Sequence, residues 1–129
     1  MLSKINFLLR LIIAIILLQS LYFKFTGHAE AKHIFNTLGA EPWGRIILGC
    51  IELFVGITLL LPKTKFRATL VAAGLMVGAL GAHLFTPLGV VIRWEGNSDN
   101  GELFIMALIA LVLSIISLIL HAKIKKIIH

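Results

Sequence analysis

Four apolar runs, each long enough to cross a bilayer as a helix, constrain this chain more than any other feature. A spanning helix needs about 20 mostly apolar residues at ~1.5 Å rise per residue. The runs cover residues 5–25, 43–61, 66–85 and 103–120. In lipid each must be helical, because an unpaired backbone N–H or C=O has no water to bond. The chain has 129 residues, 59% of them hydrophobic and 14% charged. A domain so small leaves much of its surface wet, so these runs cannot all be hidden by folding in water. The expected fold is therefore all-α: one domain over residues 1–129, an integral membrane four-helix bundle.

The run ends carry punctuation. Pro62 closes the second run, and Pro62-Lys63-Thr64-Lys65 reads as a tight turn into the third. Pro87 and Gly89 close the third. Asp99 and Glu102 have capping-box spacing before the fourth. Tyr22, Trp43 and Trp94 fall near the expected interfaces, where amphipathic rings collect. One side of the bundle would hold the N-terminus, the 62–65 turn and the C-terminus. That side carries seven basic residues and no acid: Lys4, Lys63, Lys65, Arg67, Lys123, Lys125 and Lys126. The positive-inside rule makes it cytoplasmic, with both termini inside. The expected location is a bacterial cytoplasmic membrane.

On the outer side, Ala31, Ile34, Phe35 and Leu38 follow i, i+3, i+4, i+7 spacing, and Gly39 supplies a stop. This predicts a short amphipathic helix in the first outer loop. The second outer loop, residues 86–101, mixes apolar and polar residues and reads as irregular.

The net charge of +6 could suit nucleic acid. The basic residues flank apolar runs, however, so anionic lipid headgroups are the simpler partner and nucleic acid is not expected. A single cysteine, Cys50, rules out an internal disulfide and any CxxC chemistry. In its apolar run it reads as a small inert hydrophobe. Basic Lys4 and Arg10 before an apolar stretch resemble a secretion signal. The following Gln19-Ser20-Leu21-Tyr22 offers no small-x-small cleavage site, so the segment reads as a retained helix.

Ionisable and amide groups inside a membrane are costly and point to function by default. Four stand out: Arg10, Gln19, Glu52 and His83. Glu52 precedes Pro62 by ten residues, roughly 15 Å of helical rise, which puts it near mid-membrane. An Arg10–Glu52 pair with Gln19 as hydrogen-bond partner fits those depths. Gly49 and Gly56 share the face of Glu52 and would let a neighbouring helix approach. Such a pair is either a clasp that fixes helix register or part of a proton or quinone site. His83, with Ala72, Met76 and Ala79 on its face, either bonds a backbone carbonyl or serves a cavity beside it. The third run is rich in small residues, and Gly74-x-x-x-Gly78 reads as tight packing within the bundle, with a dimer interface as the alternative.

Other polar residues are assigned structural roles. Lys24 is expected to snorkel to the outer interface. His28, Glu30 and His33 match no strong ligand spacing, and no metal is assigned. His121 and His129 sit among C-terminal lysines and read as a solvated, lipid-facing tail. The phosphate loop, HExxH, GxSxG and CxxCH patterns do not occur. No self-contained catalytic motif is present.

The order of several fragments resembles the DoxX-like family of small four-helix membrane proteins, which includes the DoxX, DoxD and MauE relatives. The fragments are Arg10-Leu11 through Phe23-Lys24, Leu38-Gly39, and Gly49-Cys50-Ile51-Glu52-Leu53-Phe54-Val55-Gly56 leading into Leu59-Leu60-Leu61. Ala82-His83 and Asn100-Gly101-Glu102 complete the set. The G-x-x-E-L-x-x-G segment is the most specific, and the ordered set covers nearly the whole chain. The resemblance implies a four-helix bundle tied to quinone-coupled or redox-enzyme membrane chemistry, with Arg10, Glu52 and His83 as the positions to watch. The chain departs from thiol-active relatives because it lacks a cysteine pair. A redox-associated subunit, with quinone as the candidate cofactor, stands beside a non-enzymatic scaffold or assembly factor that docks a membrane protein partner or a second copy. A monomeric transporter fits poorly without repeats or broken spans.

Overall fold

A computed structural model describes residues 1–128. The chain is almost entirely helical, because each apolar run satisfies its own backbone polar groups only that way. Helix α1 covers Leu2–Gln19 and α2 covers Leu21–Thr26, with a break at Ser20. Helix α3 is Ala29–Thr37, α4 is Trp43–Thr58 and α5 is Lys65–Phe85. A two-strand hairpin, β1 Arg93–Trp94 and β2 Asn97–Ser98, precedes α6, Glu102–Ile128. Three segments are long and apolar enough to cross a membrane: Leu2–Thr26, Lys65–Phe85 and Glu102–Ile127.

The second expected span differs. Helix α4 has 16 residues, so it rises about 24 Å against a hydrocarbon thickness of about 30 Å. Leu59, Leu60 and Leu61 continue the chain as turns rather than helix. Thr64 fastens this turn by donating to the Thr58 carbonyl at 2.8 Å.

Helix α1 packs against α4 and α6, and α5 packs against the same two. Their shared core contains Ile13, Ala14, Leu17, Val55, Leu59, Ala72 and Ala110. Residue size runs opposite to a water-soluble core. The buried face of α6 is Ala107, Ala110, Ser114 and Ser117, while Ile105, Leu108, Ile109, Val112, Ile115 and Ile116 face outward. Small residues at helix contacts and large apolar ones at the perimeter are what lipid selects, since burying Leu against Leu gains little over Leu against acyl chain. Buried Ser114 donates to the Ala110 carbonyl at 2.7 Å, so its hydroxyl is satisfied within its own helix.

The glycines of α4 act as close-approach points. A Cβ at Gly56 would lie 2.6 Å from Leu18 Cδ2, and one at Gly49 would lie 2.9 Å from the Phe25 ring. Gly74 and Gly78 behave otherwise: a Cβ at either would meet nothing within 4 Å. The packing expected of them inside the bundle is absent, because their face of α5 points away from α4 and α6.

At one end, called here the hairpin end, lie α3 and the β-hairpin. The other, the tail end, holds the start of α1, the end of α6 and the 59–64 turn. Helix α3 ends at Leu38 with Gly39 at φ 73°, the stop the sequence announces. The 86–101 loop is not irregular throughout. Glu95 (φ 47°) and Gly96 (φ 79°) give the two positive-φ positions that a tight hairpin turn of right-handed twist requires. Asp99 knots its base: Oδ1 accepts from Ile92 N at 2.9 Å and Gly101 N at 2.8 Å, and Oδ2 from Leu103 N at 3.2 Å. Asp99 thus caps α6. The reciprocal half of the capping box does not form, because Asp99 N is already committed to the Ile92 carbonyl at 3.0 Å.

Candidate functional site

The buried carboxylate of Glu52 organises the interior. Gly49 and Gly56, one turn either side of it on α4, bring α1 and α2 close enough for a side chain from that path to reach it. The side chain that does so is Lys24, not Arg10. Lys24 Nζ lies 2.6 Å from Glu52 Oε1, and it donates to Ser20 Oγ at 2.9 Å. Among the described residues no partner is aligned for a hydrogen bond to Oε1. The expected snorkelling of Lys24 is therefore corrected: burying an unpaired carboxylate costs more than turning a lysine inward to meet it.

The position of Lys24 is set from outside the core. Arg45, itself buried, donates from Nη1 to the Lys24 backbone carbonyl. Its Nε also bonds both carboxylate oxygens of Glu41, at 3.0 and 2.9 Å. That hydrogen bond holds the Glu41 carboxyl below its ordinary pKa. Glu41 four residues before Arg45 is the signal of this clamp in the sequence.

Arg10 belongs to a different layer. Its Nη1 donates to the Leu59 carbonyl, its Nε lacks a partner among the described residues, and its guanidinium lies 5.4 Å from the centroid of the Phe7 ring. Around it stand Asn6, which accepts from Ser117 Oγ, and Thr69, which donates to the Lys65 carbonyl at 2.6 Å. His121 stacks on Phe66 at 4.7 Å, so it is folded between α5 and α6 rather than free in a tail. His129 lies outside the described residues. Asn6, Thr69 and Ser117 are single short polar residues in apolar runs and carry no spacing signal in the sequence.

Gln19 and His83 do join Glu52, as walls of one cavity of about 140 Å³ beside Lys24. Gln19 Nε2 donates to the Ile16 carbonyl at 3.1 Å and touches Met106 Sδ at 3.9 Å, leaving Glu52 unbonded by it. His83 Nδ1 is 2.7 Å from the Gly89 carbonyl. A carbonyl only accepts, so Nδ1 carries the proton and the Nε2 of the neutral ring keeps a lone pair. Phe104 holds the ring edge-on at 5.5 Å. Met76, Ala79 and Ala82 make room along α5, as the alanine-rich face suggests.

A second cavity, about 260 Å³, lies toward the hairpin end, where Glu30, Trp94, Asp99 and Glu102 line it. The two share Gln19, Ser20, Lys24, Ile34, Leu103 and Met106 as common wall. Burial and then the charge of Asp99 push the Glu30 carboxyl above its ordinary pKa. Below the inner cavity, Ile13, Ala14, Leu17, Leu59, Ala72 and Ala110 form an apolar layer, and Arg10 lies beyond it. The polar interior therefore has two compartments separated by a dry plug.

Chemically, the inner cavity offers one ammonium donor, one carboxylate, one imidazole nitrogen, the Gln19 amide and the Ser20 hydroxyl around a largely apolar space. His28 Nδ1 accepts from Glu30 N at 3.2 Å and so caps α3. Fold and site together define a predominantly helical protein with three membrane-length helices and a buried ion pair beside a small cavity. No family model, curated protein or solved structure matches this chain.

Proposed function

We propose that this chain is a four-pass membrane protein of the DoxX-like kind, with both termini cytoplasmic, that binds a quinone head in the Lys24–Glu52–His83 cavity as an accessory subunit of a redox system. Helix α4 supplies the fourth pass, with Leu59 to Leu61 extending its apolar length. The basic tail end faces the cytoplasm of a bacterial cell and the hairpin end faces out, in keeping with the positive-inside rule.

One observation carries the reading: a buried ion pair and a histidine with a free Nε2 line the same cavity. The residues present fit a carbonyl-bearing ring. Lys24 supplies N–H to a carbonyl oxygen, while Glu52 and His83 Nε2 accept from hydroxyls of the reduced form. The bound quinone would supply the electron chemistry, and these side chains orient it, exclude water and hold protons.

Purified protein would be extracted and its quinone content measured. Glu52→Gln and His83→Ala should each lower that content severalfold while the helical circular dichroism stays unchanged. Wild-type protein free of quinone, or both variants with wild-type content, would sink the reading.

A scaffold role is the second reading. The uncovered Gly74 and Gly78 face of α5 favours it. On that view Lys24–Glu52 only fixes register, and Glu52→Gln harms folding with no separate loss of ligand.

A further inference from the structure

Helices α4 and α5 meet loosely near the tail end. Helix α4 stops at Thr58, and α5 presents Ala68 to the seam rather than a side chain large enough to fill it. A groove of about 490 Å³ results, with Ile51, Phe54, Val55 and Val71 on its walls. Thr58, Thr64 and Arg67 line it where the 59–64 turn begins α5. Phe54 is 69% exposed at its rim. Among the described residues neither Lys63 nor Arg67 has an acidic partner, and every acid except Glu52 sits in the hairpin-end half of the sequence pattern.

We propose that this groove is a binding site for an anionic phospholipid. One acyl chain lies along Ile51, Phe54, Val55 and Val71, and the phosphate is held by Arg67 and Lys63. The two halves of the site match the two halves of that ligand. The walls are apolar and open to the bilayer, so they suit an acyl chain. Arg67 offers a planar fork of N–H donors suited to phosphate oxygens, and Lys63 adds a second positive charge. A zwitterionic lipid would bring an extra cation against that unpaired pair. A water-soluble phosphate would leave the apolar length unused. The proposal rests on the membrane reading above and is independent of any quinone.

Native mass spectrometry of detergent-purified protein, mixed with phosphatidylglycerol or phosphatidylcholine, tests it directly. Phosphatidylglycerol should be retained about tenfold more, as expected of Arg67 on the groove with Lys63 in the turn four residues before it. Lys63→Gln with Arg67→Gln should abolish the preference, whereas Lys123→Gln should leave it intact. Val71→Trp fills the groove and should reduce retention of both lipids. Arg67 is exposed, so its replacement leaves the fold intact, and an unchanged helical circular dichroism spectrum would check that in the same sample. Equal retention of the two lipids would overturn the proposal. So would efficient oxidative cross-linking of Cys50 to Cys50, because that exposed thiol stands on the groove wall and would then face a second copy.

Discussion

At the scale of single residues, the Lys24–Glu52 pair is the most consequential contact. Removing one partner of a buried pair leaves an uncompensated charge and costs about 3–5 kcal/mol, whereas replacing both with apolar groups is far milder. Lys24→Met or Glu52→Leu alone should lower the thermal midpoint in detergent sharply, and the double variant should recover most of the loss. A double variant as damaged as either single one would mean that the two charges are not coupled. The carboxylate was legible in the sequence as the one acid within the 43–61 apolar run. Its partner was not. Arg10 and Lys24 lie on one helix face, and rise per residue alone cannot say which of them turns inward. The break at Ser20 and the Arg45 hydrogen bond to the Lys24 carbonyl decide it, and both depend on where α4 sits.

At the scale of helices, the glycines separate into two kinds that look alike in sequence. Gly56→Val would drive methyl groups into Leu18 and should cost about 1–3 kcal/mol through overpacking. Gly74→Ala should do the reverse, stabilising α5 by about 0.5–1 kcal/mol from backbone entropy, because nothing stands in its way. Unfolding in mixed micelles would read both. A destabilising Gly74→Ala would reveal a partner on that face and favour the scaffold reading. The small-residue spacing told only that a helix can be approached; which helix approaches is a matter of packing. The hairpin was similarly hidden, because Glu95 is an unusual residue at positive φ, whereas Gly39 advertised its turn plainly.

At the scale of the whole molecule, the polar compartments differ in access. In a Cys50→Ala background, a cysteine at Gln19 should react with a membrane-impermeant maleimide added outside cells, and one at Ser117 should not. The opposite pattern would invert the proposed orientation. Two carboxylates at the hairpin end give the protein opposing pH dependences. The Glu30 pKa is raised, so the folded state binds the extra proton, and its contribution turns unfavourable as pH climbs above the ordinary carboxylate value. Glu30→Gln should therefore raise the melting temperature at neutral pH and have no effect well below the ordinary carboxylate range. The Glu41 pKa is lowered, so its Arg45 contact stabilises above that range and is lost as pH falls through the depressed value. Glu41→Gln should lower the neutral-pH melting temperature, and titrating both variants from acid to neutral pH checks each sign. The sequence by itself determined that the chain is helical and greasy, with α3 stopped at its glycine. Hydrophobic length and backbone hydrogen bonding are local properties, written residue by residue. Only the tertiary structure decided which charge meets Glu52, which glycines touch a neighbour and where the cavities lie. Those depend on the relative placement of helices far apart in the chain, which small side chains permit without specifying.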